Sequence, residues 1–396
     1  MINFKKKLHS NLLNIFKKNI LTNYRVIIKL KSPSPKLIKK LKNSTQCKII
    51  HILEHINILC LIITHRLLSN LIEYPEIEYI SLDSEIFLCA NKTLSSVKTP
   101  DSKVISYNSN LTGKNITVGL IDSGIYPLES FTKPKNRIKL FKDLINDYIY
   151  PYDDNGHGTA MCTIIGDKFI YKNNIIKNAS ECDFCVIKAF DKYNKSYCSL
   201  IFKALDLLYE NSTKLNLQLL CLPFELNEFN EFILTIFQYF FDELSKQNII
   251  ITIPLGNNSS NYTSLKGLSL LSNCITVGGL NLNESSCGIS NKKLLKPTLI
   301  SIYENIYLSN IDPKYVPERN NQYIYPPKIK NSFVEYFGTS CSCAYICSLL
   351  ALLKQKNISI NIRDSLSLFK LCCNKIQDVD TSIQGLGTVN VNQLLE

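Results

Sequence analysis

The feature that most constrains this chain is a regular alternation of short apolar segments with longer helical ones after residue 114. An apolar run that ends at turn-forming residues is typical of a strand buried on both faces of a sheet. Five such runs are predicted to be strands: ITVGLIDSG at 116–124, DFCVIKAFD at 183–191, LQLLCLPF at 217–224, NIIITIPLG at 248–256 and CITVGGL at 274–280. Helical segments separate them, and this order predicts an α/β fold with a mostly parallel sheet and helices on both of its faces.

The chain before residue 114 is organised differently. Short strand and helix patterns alternate, including a helix that closes at Pro75 and a final alternating strand, EIEYISLDSEIFL. This pattern predicts a small α+β domain near the lower size limit for independent folding. The predicted organisation is a basic amphipathic extension at 1–22, the small domain at 23–90, a polar linker without periodicity at 91–113 and the main domain at 114–396.

Basic residues are concentrated at the start of the chain. Twelve of the 45 lysines and arginines lie in residues 1–45, which hold no acidic residue, so the remainder of the chain is close to neutral. A neutral body argues against a nucleic-acid partner. Apolar residues recur at helical spacing between the lysines of residues 1–20, and they predict an amphipathic helix. Such a helix either contacts an anionic membrane surface or packs on the next domain, and the sequence leaves both open.

The cysteines and the first twenty residues indicate in which cellular compartment the protein is expected. Fifteen cysteines is an odd number, and their irregular spacing predicts free thiols instead of a disulfide framework. The apolar part of the first twenty residues is broken by polar residues, so we expect no secretory signal and a cytoplasmic location, with export by a non-standard route as the open alternative. Cys182 and Cys185 have a metal-like spacing, but no second pair lies nearby in the sequence. Buried thiols are therefore expected there instead of zinc.

Two side chains stand out as candidates for chemistry, because reactive groups of a parallel sheet sit at the carboxyl ends of its strands. Asp122 ends the first predicted strand, and Gly124 allows a tight exit from it. An aspartate at such a position also serves simply to cap a turn. His157 is the one histidine after His65, and it lies between two glycines at the start of an apolar helical run. That context favours a functional histidine over a structural one.

Two more residues lie at comparable positions. Ser340 follows Gly338 and Thr339 and leads directly into a helix. It is either a helix cap or a nucleophile at the positive end of the helix. Asn257 follows Gly256 at the end of a predicted strand, where its amide either donates to a developing oxyanion or stabilises a turn.

Taken together, these four residues resemble the subtilisin-like serine protease family. The resemblance is carried by IDSG around Asp122, NGHGTA around His157, PLGN around Asn257 and GTSCSCA around Ser340, and it extends over residues 114–396. It implies a subtilisin-like three-layer α/β fold. It also implies that His157 takes the proton of Ser340 while Asp122 orients the imidazolium. Asn257 and the Ser340 backbone N–H would then bind the oxyanion.

The small domain fits the same resemblance. Residues 24–89 resemble the inhibitory propeptide of subtilisins, which assists folding and whose C-terminal tail lies in the active-site cleft. This implies a self-processing zymogen that is cut near Leu88, Cys89 or Ala90. The expected partners are a protein or peptide substrate and the chain's own propeptide, and we expect a monomer. No cofactor is required by the resemblance, and the calcium sites common in the family have no assigned residues here.

This sequence departs from the family pattern around the substrate. The strand that often reads Ser-Leu-Gly appears here as Cys221, Leu222 and Pro223, and a proline removes a backbone donor. Leu222, Pro223 and Gly256 are the predicted substrate-binding residues, and we expect an unusual specificity pocket. Ala344 stands where the family usually has proline after the serine.

Three functional hypotheses follow. The first is an active serine endopeptidase, which the presence of all four residue types favours. The second is a pseudoprotease that binds a partner without cutting it, which the changes at Pro223 and Ala344 keep open. The third is a protease that trims a leader from a dedicated precursor peptide. In addition, the thiol of Cys341 beside Ser340 predicts sensitivity to thiol reagents.

Overall fold

The structure is a computed structural model, and it describes most of the chain. The described residues are 7–19, 21–94, 104–105, 110–226, 229–257, 265, 267–289, 295–320, 322–327, 329 and 333–396. They form two compact units. Unit 1 comprises residues 1–85 and 197–207, and unit 2 comprises residues 86–196 and 208–396.

Unit 1 is built around an antiparallel sheet of four strands in the order β2-β3-β1-β4. Its strands are β1 Asn23–Leu30, β2 Cys47–Leu53, β3 Ile58–Thr64 and β4 Ile77–Leu82. Its helices are α1 Ser10–Lys18, α2 Pro35–Lys42, α3 His65–Glu73 and a short 3-10 turn at Glu54–Ile56. The segment KIIHILEHINILCLIIT therefore forms two strands, because the turn at Asn57 takes a left-handed conformation and reverses the chain.

Helix α1 tests the two interpretations of the basic extension. Leu8 and Leu12 are buried in the core of unit 1, and the backbone of Lys7 and His9 bonds to Ile80 of β4. An apolar side that is already covered by protein favours packing over membrane contact. Among the described helices, none combines the length and apolar character that crossing a membrane requires.

Unit 2 contains a sheet of nine strands in the order β25-β26-β20-β17-β16-β14-β8-β12-β9. These strands are β8 Thr117–Asp122, β9 Ile138–Asp143, β12 Asp183–Lys188, β14 Leu217–Cys221, β16 Ile250–Pro254, β17 Ile275–Gly279, β20 Leu299–Ser301, β25 Cys373–Asn374 and β26 Thr388–Val389. All neighbours pair in parallel except the edge strand β25. The predicted α/β fold with a mostly parallel sheet is therefore confirmed.

The remaining elements of unit 2 complete the fold. Its helices are α4 Glu129–Thr132, α5 His157–Gly166, α6 Cys198–Leu215, of which unit 2 contains the part from residue 208, α7 Glu231–Lys246, α8 Thr339–Lys356, α9 Ile362–Cys372, α10 Thr381–Gln384, α11 Val391–Leu395 and a 3-10 turn at Gly267–Leu270. The short strands are β5 Glu85–Leu88, of which unit 2 contains residues 86–88, β6 Asn91–Leu94, β7 Val104–Ile105, β10 Lys168–Tyr171, β11 Asn174–Lys177, β13 Lys195–Tyr197, of which unit 2 contains residues 195–196, β15 Phe224–Glu225, β18 Gly288–Ile289, β19 Leu295–Lys296, β21 Ile306–Ser309, β22 Glu318–Arg319, β23 Gln322–Tyr323 and β24 Phe333–Phe337.

Helix α8 is the centre of unit 2. Its residues from Thr339 to Lys354 are buried apart from the half-buried Tyr345. A helix that is apolar or small on every side is typical of a fully enclosed position. It packs against α5 and against strands β14, β16 and β17, so the start of α8 lies at a fixed place beside the sheet.

The chain differs from the sequence-based prediction in two segments before the main domain. The segment EIEYISLDSEIFL forms two strands, β4 and β5, because Asp83 and Ser84 interrupt it. Residues 91–94 of the predicted linker form strand β6, although they have no apolar alternation. Their pairing with β24, a distant part of the chain, explains why local periodicity gives no signal.

Candidate active site

Asp122 and His157 are brought together at the carboxyl end of β8. Asp122 is the last residue of that strand and is fully buried. His157 Nδ1 lies 2.9 Å from both of its carboxylate oxygens, and the Ser123 N–H donates to Oδ1 at 2.6 Å. Burial raises the pKa of Asp122, and the contact with His157 opposes this rise. The ring nitrogen facing a carboxylate carries the proton, which leaves Nε2 as the acceptor.

The approach of α5 to β8 depends on Gly158. A Cβ at this position would lie 2.1 Å from the carbonyl oxygen of Gly124, which no side chain tolerates. Glycine therefore allows the first turn of the helix to approach the turn that follows Asp122. The small residues that flank His157 in the sequence thus have a steric function at this contact.

Ser340 is the second residue of α8 and is fully buried. Its Oγ donates to the carbonyl oxygen of Pro223 at 2.7 Å. His157 Nε2 is also buried, and it has no hydrogen-bond partner among the described residues. The structure thus joins Asp122 to His157 but turns the Ser340 hydroxyl towards Pro223.

The carbonyl group of Cys89 occupies the position between Asn257 and Ser340. Asn257 Nδ2 donates to the Cys89 oxygen at 2.6 Å, and the Ser340 backbone N–H points to the same oxygen at 3.5 Å. Thr339 fixes the amide, because its N–H and its hydroxyl both donate to Asn257 Oδ1, at 3.1 Å and 2.9 Å. The amide nitrogen is therefore the group that faces Cys89.

Gly338 makes room for this carbonyl. Its φ is +133°, and a Cβ there would lie 2.4 Å from the Cys89 oxygen and 2.9 Å from the Ala90 Cα. Both the backbone conformation and the close approach of the chain require glycine. The GTSCSCA motif thus supplies a glycine, an orienting threonine and the serine in three consecutive residues.

The residues before Cys89 run along the predicted substrate-binding strand. Leu88 pairs with Phe224 and Phe87 with Glu225 in an antiparallel arrangement, and the Cys89 N–H donates to the Pro223 oxygen at 3.4 Å. Pro223 takes part through its carbonyl oxygen, so the absence of its N–H removes none of these bonds. Leu222, predicted to bind substrate, is buried, and its N–H donates to Thr252.

Glu225 is a residue that the sequence analysis missed. Its Oε2 lies 3.9 Å from the Cys89 Sγ, and its carboxylate occupies the space beside the Gly256 Cα where a Cβ would stand. Burial, followed by the charge of Glu225, raises the pKa of the Cys89 thiol. Gly256, one of the predicted substrate-binding residues, therefore provides the space for the glutamate side chain.

Asp153 was also missed, and it organises the turn before His157. Its Oδ1 accepts from Ser123 Oγ at 2.9 Å and from the backbone N–H groups of Asn155 and Gly156, at 3.1 Å and 2.7 Å. Its Oδ2 accepts from the N–H and the hydroxyl of Thr159, at 2.9 Å and 2.6 Å. The sequence signal for this carboxylate is the pair of consecutive aspartates, Asp153 and Asp154, directly before the NGHG motif.

Asp153 remains charged although it is buried. Burial alone would raise its pKa, but Lys188 and the hydrogen bonds from Thr159 and Gly156 outweigh this and lower the pKa. Lys188 is itself buried, and its Nζ donates to the oxygens of Ser123 and Asp154 at 2.6 Å each. The positive charge of Lys188 and the negative charges of Asp153 and Asp154 thus stabilise the turn before His157 together.

The cysteines near these residues are buried. Cys341 is fully buried, and burial raises the pKa of its thiol far above the ordinary value. The thiolate needed for reaction with alkylating reagents is therefore disfavoured in the folded chain. Burial also raises the pKa of both Cys182 and Cys185 to about 12. Within the described ranges, no group of three histidine, cysteine or acidic side chains is arranged to hold a metal ion.

Comparison with known proteins identifies the family and the fold of the chain. Residues 113–377 match the Subtilase family. Serine protease AprX of Bacillus subtilis (strain 168) is 23% identical over 352 residues, which cover 82% of this chain and 75% of that protein.

Two solved structures resemble the fold, each at 13% sequence identity and each over 94% of this chain. Fervidolysin from Fervidobacterium pennivorans, described as a keratinolytic enzyme related to subtilisin, aligns with a TM-score of 0.65, and this chain spans 61% of its length. The epidermin leader peptide processing serine protease (EpiP) from Staphylococcus aureus aligns with a TM-score of 0.66 over 98% of its length. The predicted subtilisin-like three-layer fold is confirmed.

The Asp153 network makes a testable prediction about stability. A carboxyl whose folded pKa is lowered contributes stability above its unfolded pKa of about 3.9, and this contribution is lost as the pH falls through the folded pKa. We expect Asp153→Asn to lower the free energy of unfolding by about 2 kcal/mol at pH 7 and by clearly less at pH 3. Urea unfolding of both proteins at the two pH values measures this difference.

Asp147→Asn is the matched control, since it removes the same charge at an exposed position. We expect it to change stability by less than about 0.5 kcal/mol at either pH. If Asp153→Asn lowers the free energy of unfolding by the same amount at pH 7 and pH 3, the ionised carboxylate does not stabilise the fold.

Proposed function

Because the chain belongs to the subtilase family of serine proteases, we propose that Asp122, His157 and Ser340 form its catalytic triad and that it is made as a zymogen. The chain is a serine endopeptidase, and we infer that its first substrate is its own bond between Cys89 and Ala90. One observation carries this proposal. The Cys89 carbonyl oxygen is bound by Asn257 Nδ2 at 2.6 Å and faces the Ser340 N–H.

The chemistry follows from the groups around that carbonyl. Ser340 Oγ turns from the Pro223 oxygen to His157 Nε2, gives its proton to that nitrogen and attacks the Cys89 carbonyl carbon. The oxygen becomes an anion between Asn257 and the start of α8, where an amide donor, a backbone N–H and the helix dipole all stabilise negative charge. His157 then returns the proton to the Ala90 nitrogen, and the Cys89 acyl group remains on Ser340 until water releases it.

Asp122 has a defined part in this sequence. It accepts the hydrogen bond of His157 Nδ1–H, which holds Nε2 towards the serine, and its charge stabilises the imidazolium that forms. His157 Nε2 is available to accept the serine proton, since it has no hydrogen-bond partner among the described residues.

The first test compares the wild-type chain with the Ser340→Ala variant, purified side by side. We expect wild type to lose residues 1–89 and the variant to stay whole, because only the former has the nucleophile. Intact-mass spectrometry measures both. If both proteins stay whole and wild type does not react with a fluorophosphonate probe, the triad is wrong and the pseudoprotease interpretation gains support.

The second test concerns the oxyanion position. We expect Asn257→Ala to slow self-cleavage by about 10²–10³-fold, because it removes one of the donors to the developing charge. We expect Thr339→Val to slow it by roughly tenfold, since the variant keeps the backbone N–H to Asn257 Oδ1 but loses the hydroxyl. The time course of the mass change gives both rates.

Asn281→Ala is the control for this series, because it removes an amide side chain of the same kind outside the site. If Asn281→Ala and Asn257→Ala both cleave themselves at the wild-type rate, Asn257 is not the oxyanion donor.

A second candidate function, trimming of a leader from a dedicated precursor, is favoured by the surroundings of Cys89. The carboxylate of Glu225 fills the space beside Gly256 and lies against the Cys89 side chain, so this subsite suits a short side chain. A restricted subsite favours few cleavable sequences over many. The likeness to a leader peptide processing protease supports the same idea through the fold alone.

Digestion of casein separates the two functions. For a dedicated processing protease we expect casein to survive while a synthetic peptide with the sequence of residues 86–94 is cut after its cysteine. Gel electrophoresis and peptide mass analysis provide the measurement, at equal enzyme concentration. Rapid, broad digestion of casein would contradict the narrow specificity and leave the general endopeptidase.

A further inference from the structure

Strand β6 lies immediately after the Cys89–Ala90 bond and is paired along its whole length. In antiparallel register, Asn91 lies opposite Phe337, Lys92 opposite Tyr336, Thr93 opposite Glu335 and Leu94 opposite Val334 of β24. This segment was predicted to be a linker. Its pairing means that the chain is held as a strand on both sides of the bond, by β15 before it and by β24 after it.

Strand β24 has a fixed position relative to Ser340. It ends at Phe337, and the chain continues directly through Gly338 and Thr339 into the nucleophile. Its other edge pairs with β21, where Ile306 lies opposite Tyr336. Strand β24 is thus held along one edge by β21, and its C-terminal end leads directly to Ser340. It therefore sets the register of any peptide that pairs with its other edge.

A side-chain contact accompanies the backbone pairing. Lys92 Nζ donates to the backbone carbonyl of Asn155, two residues before His157. The hydroxyl of Tyr336 lies close to the same turn, since a Cβ at Gly156 would be 3.0 Å from it. A carbonyl oxygen accepts from lysine or arginine but has nothing to offer a carboxylate. The third residue after the cut bond is thus recognised through a donated hydrogen bond.

We propose that β24 is the docking strand for the part of a peptide substrate that follows the cut bond. The substrate class is an extended segment that adds as an antiparallel strand over four residues, with lysine or arginine as the third residue after the cut. Residues 91–94 are the first occupant of this edge, and a peptide substrate takes their place after self-cleavage. This inference rests on the proposed function, because it requires that the bond after Cys89 is cut.

Peptides test the docking strand with the self-processed protein that the full chain yields. The parent peptide has the sequence of residues 86–94, and a truncated peptide ends at Ala90. Two further peptides carry backbone N-methyl groups, one at Asn91 and Thr93 and the other at Lys92 and Leu94. Ladder hydrogen bonds alternate along an antiparallel pair, so only one of these two patterns removes donors that point at β24.

We expect truncation to lower kcat/KM by at least roughly tenfold, as one or two lost backbone hydrogen bonds predict. One N-methyl pattern should reproduce this loss, and the other should stay within about threefold of the parent. A peptide with Lys92→Glu should be cut more slowly than the parent, while Lys92→Arg should retain the parent rate. Cleavage rates followed by peptide mass analysis give all of these ratios.

If the parent, the truncated peptide and both N-methyl peptides have equal kcat/KM, β24 is not a docking strand for peptide substrates. The same result is expected if residues 91–94 stay paired with β24 after self-cleavage, and it overturns the proposal in that case too. That result leaves the proposed function intact, because the truncated peptide is still cut. Failure of the proposed function looks different: no peptide is cut, the protein stays whole, and a fluorophosphonate probe does not label Ser340.

Discussion

The buried carboxylate of Asp153 is the interaction on which the geometry of the site depends. It accepts hydrogen bonds from the turn after β8, through Ser123, and from the first turn of α5, through Thr159. These two segments carry Asp122 and His157, which lie 35 residues apart in the chain. An ionised group at this depth is costly unless it is paired and fully hydrogen-bonded, and Lys188 with five donors supplies that compensation.

A second constraint is the extended backbone around the Cys89–Ala90 bond, which is paired on both sides of that bond. The backbone before the bond pairs with β15, the carbonyl lies at Asn257, and the backbone after the bond pairs with β24. Extended backbone in such a cleft satisfies its polar groups without reference to side chains. Side chains add specific contacts to this pairing, among them Glu225 beside Cys89 and the Asn155 carbonyl beside Lys92.

The position of the Ser340 hydroxyl fits this arrangement. Oγ donates to Pro223, whose oxygen also accepts the Cys89 N–H. Pro223 lacks a backbone donor, but the strand contributes its carbonyl groups here, and these are unaffected by the proline ring. Glu225 shapes this part of the cleft, because its carboxylate oxygens lie 2.5 Å from the position of a Cβ at Gly256.

The sequence by itself predicted five of the nine strands of the main sheet, several of its helices and the candidate residues Asp122, His157, Asn257 and Ser340, because apolar runs, helical periodicity and short motifs are local properties of the chain. It did not reveal Asp153 as the organising carboxylate, Thr339 as the residue that orients Asn257, or Glu225 beside Cys89. Nor did it predict that residues 91–94 form a strand. Each of these depends on contacts between segments far apart in the chain, which only the tertiary structure brings together. Pairing with a distant strand leaves no periodicity in a short polar segment, and burial of a charge becomes visible only when its donors surround it.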